Sequence, residues 1–465
     1  NDSGAMLPAT LMPCVNCHQY DGRGIPEGGI TPADIRWFNL TKPYGISRKS
    51  GETHPPYTQR SIKTAITMGI DSGGQKLNSI MPRYQLTLKD MQDLVAFLTG
   101  LGSYQASGIS DTHIDIGVIL PRENPDKALA VKQILNAYFA DLNQQGGIFQ
   151  RQFRLVFIAP ELSPAALKNQ LTQSNVFAFV ASDLQGIETL VADFSKTSGV
   201  PVIGALSSTP LLDFPPNRNI FYLLSGQNNQ TRALQAFAQR IDSAEKTASK
   251  TVVLMEKTPT FEALTKHFSS AKPQVKLDVI SFDSAKGLAT TMARLQQHQV
   301  KVVYLLASQS SQARFFQQAS VLKWWPNVLL PGSQMSGALF NSPAQFDQRI
   351  FVAMPNLPFD YSKDGINDYK RLQTGHKVMP QYRNSQLLAM AAAKLLKEGL
   401  TKIGRSMEQP KLVAMMEGVY RFDTQLTPRI SFGPNRRLGA SGAYIVTLDL
   451  VNKTIRPVSD WLEVK

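Results

Sequence analysis

Five residues near the start of the chain, Cys14-Val15-Asn16-Cys17-His18, constrain it more than any others. C-x-x-C-H is the attachment signature of a c-type haem. Two thiols one short turn apart add across the two haem vinyl groups. The histidine that follows is placed under the ring, where its imidazole binds iron as the proximal ligand. The chain has 2 cysteines, and this motif uses both. A disulfide, a zinc half-site and a thioredoxin-like redox pair compete with this reading. Zinc needs further Cys or His at ligand spacing, and no second pair exists. A thioredoxin-like site expects a preceding strand, whereas residues 9–13 lead in as a loop. One covalent haem c is the expected cofactor.

A second iron ligand is expected downstream. Ile80-Met81-Pro82-Arg83-Tyr84 stands ahead of a stretch in which Leu88, Met91, Leu94, Val95, Leu98 and Leu101 recur at helical spacing. This predicts a helix over 86–101 packed against the haem region. A thioether is a soft, neutral ligand, and Met/His ligation raises the potential of haem iron and suits electron transfer. Most methionines simply fill cores, and Met68 and His54 are rival ligands. The run from C-x-x-C-H through Asp21-Gly22-Arg23-Gly24 to Met-Pro and a closing helix resembles the small class I cytochromes c, over residues 1–103. That resemblance implies His18 and Met81 as axial ligands and Cys14 and Cys17 as the thioether anchors.

Such a domain needs on the order of a hundred residues, so most of the 465-residue chain does something else. No run of ~18 apolar residues could span a bilayer as a helix. Covalent haem attachment is known from outside the cytoplasmic membrane. With Asn1 first and no secretory peptide visible, the expectation is a mature periplasmic chain whose signal has been removed. Net charge is +14, placed unevenly: residues 1–108 hold ten Lys and Arg against eight Asp and Glu, the remainder thirty-nine against twenty-seven. No Lys/Arg run or nucleic-acid motif accompanies this charge. It reads first as a solvated basic face, and otherwise as a docking face for an acidic redox or membrane partner.

Residues 102–108 turn small and polar, so 104–111 is read as a flexible linker, with some ten residues spanning ~17 Å root-mean-square. Beyond it strands and helices alternate. Strands are expected at 114–120, 153–158, 176–180, 200–205, 251–255, 276–282 and 300–306. Helices are expected at 127–145, 164–172, 186–197, 261–269 and 288–297. This is the rhythm of parallel sheets covered on both faces, and that many strands favours two lobes.

Asn143 and Gly146-Gly147-Ile148, Val200-Pro201-Val202-Ile203 with Ser207-Ser208, a late helix at 385–399 and Ile430-Ser431-Phe432-Gly433 follow in order. In that order they resemble type I periplasmic binding proteins of the branched-chain amino acid kind, over residues 112–465. The resemblance implies two α/β lobes joined by three crossovers, with solute held between them by hinge closure. The lobes would comprise 112–226 with 358–425, and 227–357 with 426–465. The expected fold class is thus a small all-α cytochrome c domain followed by a two-lobed α/β periplasmic-binding fold.

Ligands of open parallel sheets sit beyond the carboxyl ends of the strands. That rule selects Arg122, Ser182, Asp183, Ser207 and Ser208 from one lobe, and Thr260, Phe261 and Ser308 from the other. The family holds an amino acid's carboxylate at the place of Ser207 and Ser208. Loop serines and aspartates otherwise make turns and caps. Trp324-Trp325-Pro326 is read as core rather than a docking patch. No nucleophile–base pair, phosphate loop or paired carboxylates stand out, so no enzyme is expected. The expected function is a periplasmic haem-c electron-transfer protein carrying a solute-binding module. Its expected partners are a periplasmic redox protein (a quinoprotein dehydrogenase or an oxidase), a small polar solute and an ABC permease. The alternatives are an ABC-transporter substrate-binding protein with a cytochrome passenger, and a sensor or docking scaffold.

Overall fold

The computed structural model describes residues 11–19, 22–24, 29–42, 46–47, 53–101, 106–122, 124–160, 163–245, 250–259, 261–262, 264–265 and 277–464. The chain divides into two compact units, Asn1–Ser107 and Gly108–Lys465.

In the first unit α1 (Val15–His18) and α2 (Trp37–Leu40) are single turns, and β1 (Ile46–Ser47) pairs antiparallel with β2 (Thr53–His54). Two longer helices carry the core, α3 (Gln59–Met68) and α4 (Leu88–Gly100). Each begins at a side-chain cap that satisfies an otherwise orphaned backbone donor. Thr58 Oγ1 accepts from Ser61 N, and Thr87 Oγ1 from Asp90 N. The helical spacing of 86–101 becomes a buried stripe: Met91, Val95 and Leu98 pack with Leu40, Tyr57, Ile62, Ala65 and Ile66.

The second unit is built on two sheets. The first runs β13 (Leu438–Ala440), β7 (Ile220–Leu224), β6 (Val202–Ala205), β5 (Ala178–Val180), β3 (His113–Ile119) and β4 (Gln152–Ile158), all parallel. Its inner strands read as unbroken apolar runs because helices cover both faces. Ile114, Ile116, Val118 and Ile119 of β3 are fully buried. The covering helices are α5 (Pro125–Gln144), α6 (Pro164–Gln173) and α7 (Glu188–Ser198).

The second sheet runs β15 (Thr454–Pro457), β14 (Gly442–Asp449), β12 (Ile350–Met354), β11 (Asn327–Pro331), β10 (Val302–Leu306), β8 (Thr251–Glu256) and β9 (Asp278–Phe282), with β16 (Leu462–Glu463) on β14. It is parallel from β9 to β12 and antiparallel where β14 joins. Its helices are α8 (Gln227–Glu245), α9 (Ala285–Gln297) and α10 (Gln309–Val321). Trp324 is buried, with Nε1 donating to Val300 O at 2.9 Å, and Trp325 stacks edge-on against Phe346. These tryptophans are core.

The chain returns to the first lobe through α11 (Lys363–Gly375), α12 (Arg383–Ile403) and α13 (Gln409–Glu417). Its last crossover lies at Ser441, not near residue 425 as the sequence suggested. The reason is packing after α13. Phe432 lies against Phe221 of β7, and Arg437 donates to Asn217 O, so this stretch stays on the first lobe until β13 pairs with β7.

The stretch read as a linker also differs. Residues 104 and 105 lie outside the described residues, while Gly108 onward is tied to β3. Asp115 N donates to Gly108 O at 2.8 Å, and Ser110 N to His113 O at 2.9 Å.

Candidate functional site

The first site is built on one helical turn. His18 N donates to Cys14 O at 2.9 Å and Cys17 N to the same oxygen at 3.3 Å, so positions i, i+3 and i+4 share a face. Both thiols are exposed and unbridged. His18 is half-buried, and its Nδ1 lies 2.8 Å from Ala33 O. A carbonyl only accepts, so Nδ1 carries the proton and Nε2 keeps a bare lone pair, the tautomer an axial ligand needs. Burial disfavours the imidazolium and lowers the His18 pKa, against the opposing pull of the Ala33 bond.

The downstream segment reaches the same place. Tyr84 Oη donates to Met12 O at 2.5 Å, joining positions 72 residues apart. Burial, then the neighbouring Cys14 and Cys17, push the Tyr84 phenol up to about 12. Met81 is half-buried and lies three residues from this contact. Among its rivals, Met68 is 65% exposed at the end of α3. His54 is buried against Tyr57, with Nδ1 donating to Pro55 O at 2.9 Å. Large apolar side chains nearby in sequence, Leu11, Met12 and Ile80, stand exposed. Two open thiols, a pre-set imidazole tautomer and uncovered apolar surface fit a haem.

The second site lies at strand ends, and there the expected residues separate. Ser182 is fully buried; its Oγ accepts from Ile119 N at 3.1 Å and donates to Val180 O at 3.3 Å. It fastens the ends of β3 and β5 and offers no free surface to a solute. Asp183 pairs with Lys127 at 3.0 Å. Arg122 is exposed beside Gly186. The pairing of β6 with β7 shifts register at Gly204, three residues before Ser207.

Those two hydroxyls are already occupied. Ser207 Oγ donates to Glu188 Oε1 at 2.6 Å, as Thr209 Oγ1 does at 3.0 Å, and Ser208 Oγ donates to Gln185 Oε1 at 2.5 Å. Glu188 is itself buried. From the other lobe, Ser308 N donates to Glu256 Oε2 at 2.7 Å and Ser311 Oγ to Glu256 Oε1 at 2.9 Å. Burial opposes ionisation of Glu256, but these donors and Arg314 bring its pKa below the ordinary range. Phe261 packs into the core beside β8, and Thr260 lies outside the described residues. Glu188, Gln185 and Glu256 gave no signal in the sequence. Each looks like an ordinary acid or amide at a helix start or strand end, and its partner lies 19 to 55 residues away.

Comparison with known proteins agrees with this division. A family described as periplasmic binding protein matches residues 113–454, and one described as cytochrome c matches residues 9–102. The chain belongs to the periplasmic binding protein family, with a cytochrome c domain at its N-terminal end. The cytochrome c domain implies haem c.

Among solved structures, it is similar to a branched chain amino acid ABC transporter protein from Thermus thermophilus with bound valine (TM-score 0.61, 14% identity, 77% of this chain and 98% of that one). It is also similar to a fatty acid ABC transporter substrate-binding protein from Thermomonospora curvata (0.57, 16%, 78% and 95%). A possible leucine/isoleucine/valine-binding protein from Rhodopirellula baltica is a third (0.56, 14%, 77% and 98%). At these identities the likeness is one of fold. The curated proteins contain no significant match.

Proposed function

We propose that this chain is a periplasmic one-electron carrier whose single covalent haem c is tied to a solute-binding module, and that it serves a periplasmic dehydrogenase or oxidase. The observation that carries the reading is the α1 turn, with Cys14, Cys17 and His18 on one face and His18 Nδ1–H held by Ala33. The thiols of Cys14 and Cys17 would anchor the group, and His18 Nε2 and Met81 Sδ would hold its iron. Bound haem supplies a one-electron iron couple. Two ligands from the chain would leave the iron no position for substrate, which supports a carrier over a haem enzyme. Both families are typically periplasmic, and no described helix is long and apolar enough to cross a membrane.

The test is spectroscopic. The expected wild-type spectrum is low-spin c-type, with a weak methionine-to-iron band when oxidised. Met81→Ala abolishes that band, whereas a high-spin wild-type spectrum or unchanged ligation in Met81→Ala overturns the assignment.

The second unit binds a small polar solute and performs no chemistry. Ser207 and Thr209 give their hydroxyls to buried Glu188, so an incoming carboxylate meets an acid there. A neutral or cationic solute is favoured over a free amino acid held by its carboxylate. A melting-temperature screen checks this, since a ligand of the native state alone must raise the transition. Polyols, amides and amines are expected to shift it. A shift by leucine or valine overturns the class and favours delivery to an ABC permease.

A further inference from the structure

We infer that Arg83 is a positioning residue that locks the Met81 loop onto the end of α3. The inference rests on the reading of Met81 as an iron ligand, and its test separates the two.

The loop from Leu77 to Tyr84 is pinned at both ends to that helix. Leu77 N donates to Gly69 O at 2.8 Å, and Tyr84 N to Ile66 O at 3.1 Å. Between the pins the chain turns on Asn78, whose carbonyl accepts from Met81 N at 3.1 Å and whose Oδ1 accepts from Ile80 N at 3.0 Å. The Arg83 guanidinium sits inside this turn. Nη1 donates to Met81 O, and Nη2 to Leu77 O at 3.0 Å and Asn78 O at 3.4 Å.

Three carbonyls on either side of the turn are thus gathered by one rigid, planar fork. A lysine, a point charge on a flexible stem, cannot span them together. The guanidinium fits because residue 69 is glycine. Gly69 closes α3 in the left-handed conformation (φ +65°), and a Cβ there would fall 1.8 Å from Arg83 Nε. Glycine therefore serves both the helix cap and the seat of the arginine. The cation also lies at the negative end of the α3 dipole.

The consequence concerns a weak bond. A thioether leaves iron whenever its loop opens, and an external ligand then binds with an affinity scaled by the open fraction. By closing the loop, Arg83 lowers that fraction.

The experiment titrates oxidised, haem-loaded full-length protein with imidazole and records the methionine-to-iron band and midpoint potential. It compares wild type, Arg83→Ala, Arg83→Lys, Gly69→Ala and Met81→Ala. In Arg83→Ala and Gly69→Ala, apparent imidazole affinity is expected to rise about tenfold, the worth of one net hydrogen bond on the opening equilibrium. The band weakens and the potential falls in both, and Arg83→Lys lies between them and wild type. Wild-type band strength and imidazole affinity in Arg83→Ala overturn the inference while leaving Met81 as ligand. If Arg83→Ala fails to load haem, Arg83→Lys decides, and wild-type behaviour there overturns the inference equally. A wild type without the band, or Met81→Ala with it, overturns the Met81 reading, and the role of Arg83 falls with it.

Discussion

Glu417 closes α13 between two guanidiniums, Arg437 Nη2 at 2.5 Å and Arg218 Nη2 at 3.1 Å. The Arg437 side chain is 1% exposed and lies over the Phe221 ring at 4.8 Å, so it has no water to fall back on. Burial pushes the Glu417 pKa up, but the two arginines outweigh it and hold the carboxyl below its ordinary value of 4.5. Removing one partner of such a pair leaves a buried, uncompensated charge. Glu417→Gln is therefore expected to cost about 3 kcal/mol of unfolding free energy at pH 7, measured by urea denaturation. A depressed carboxyl stabilises fully above its unfolded pKa and loses that contribution as pH falls through the folded one. The gap between variant and wild type should accordingly narrow below pH 4.5. None of this was legible in the sequence, because Glu417 meets its partners across 20 and 199 residues. That Cys14, Cys17 and His18 share one face was legible, because their spacing is that of a single helical turn. Ser207 and Ser208 follow a strand, β6, as the sequence suggested, but their engagement by Glu188 and Gln185 is tertiary and left no local mark.

Strand and helix patterns that alternate regularly are the most legible elements. β3 to β6 and β8 to β10 were read from this alternation, the edge strands β4 and β9 included, whereas the buried inner strands β7, β11 and β12 were not. The last strands of the chain escaped as well. β13 is three residues long, too short to show a period, and β14 to β16 join antiparallel after the alternation has ended. The register shift in β6 escaped too. At Gly204 the backbone is left-handed (φ +66°), and a Cβ would sit 2.4 Å from the Cβ of Ala392 on α12. Gly204→Ala adds left-handed strain of ~1–2 kcal/mol and an overpacking term of ~1–3 kcal/mol. A loss of about 3 kcal/mol is expected in chemical denaturation. Trimming the neighbour with Ala392→Gly relieves the clash but not the strain. The double variant should therefore recover only part of what the two single losses sum to, and strict additivity would show that the close approach is not what constrains this residue.

At the scale of the molecule, one chain joins a redox module to a binding module, and the open question is whether each senses the other. The two folds make the question measurable because they respond to different probes: haem absorbance reports the first unit and solute-dependent melting the second. Coupling is a free energy and is reciprocal. A solute that shifts the haem potential must bind oxidised and reduced protein with different affinity. If the chain reports solute to its redox partner, a solute identified by the melting screen should bind the two redox forms with dissociation constants at least about fivefold apart, the low end of allosteric couplings. Calorimetric titration of the same preparation, first oxidised and then reduced, measures the ratio directly, and a potentiometric titration with and without solute must return the same factor as a shift in midpoint. A shared factor of about fivefold or more closes the thermodynamic cycle and establishes a solute-responsive carrier. Equal affinities would confine the binding module to tethering or docking, because a ligand with no preference between two states cannot move the balance between them, however tightly it binds.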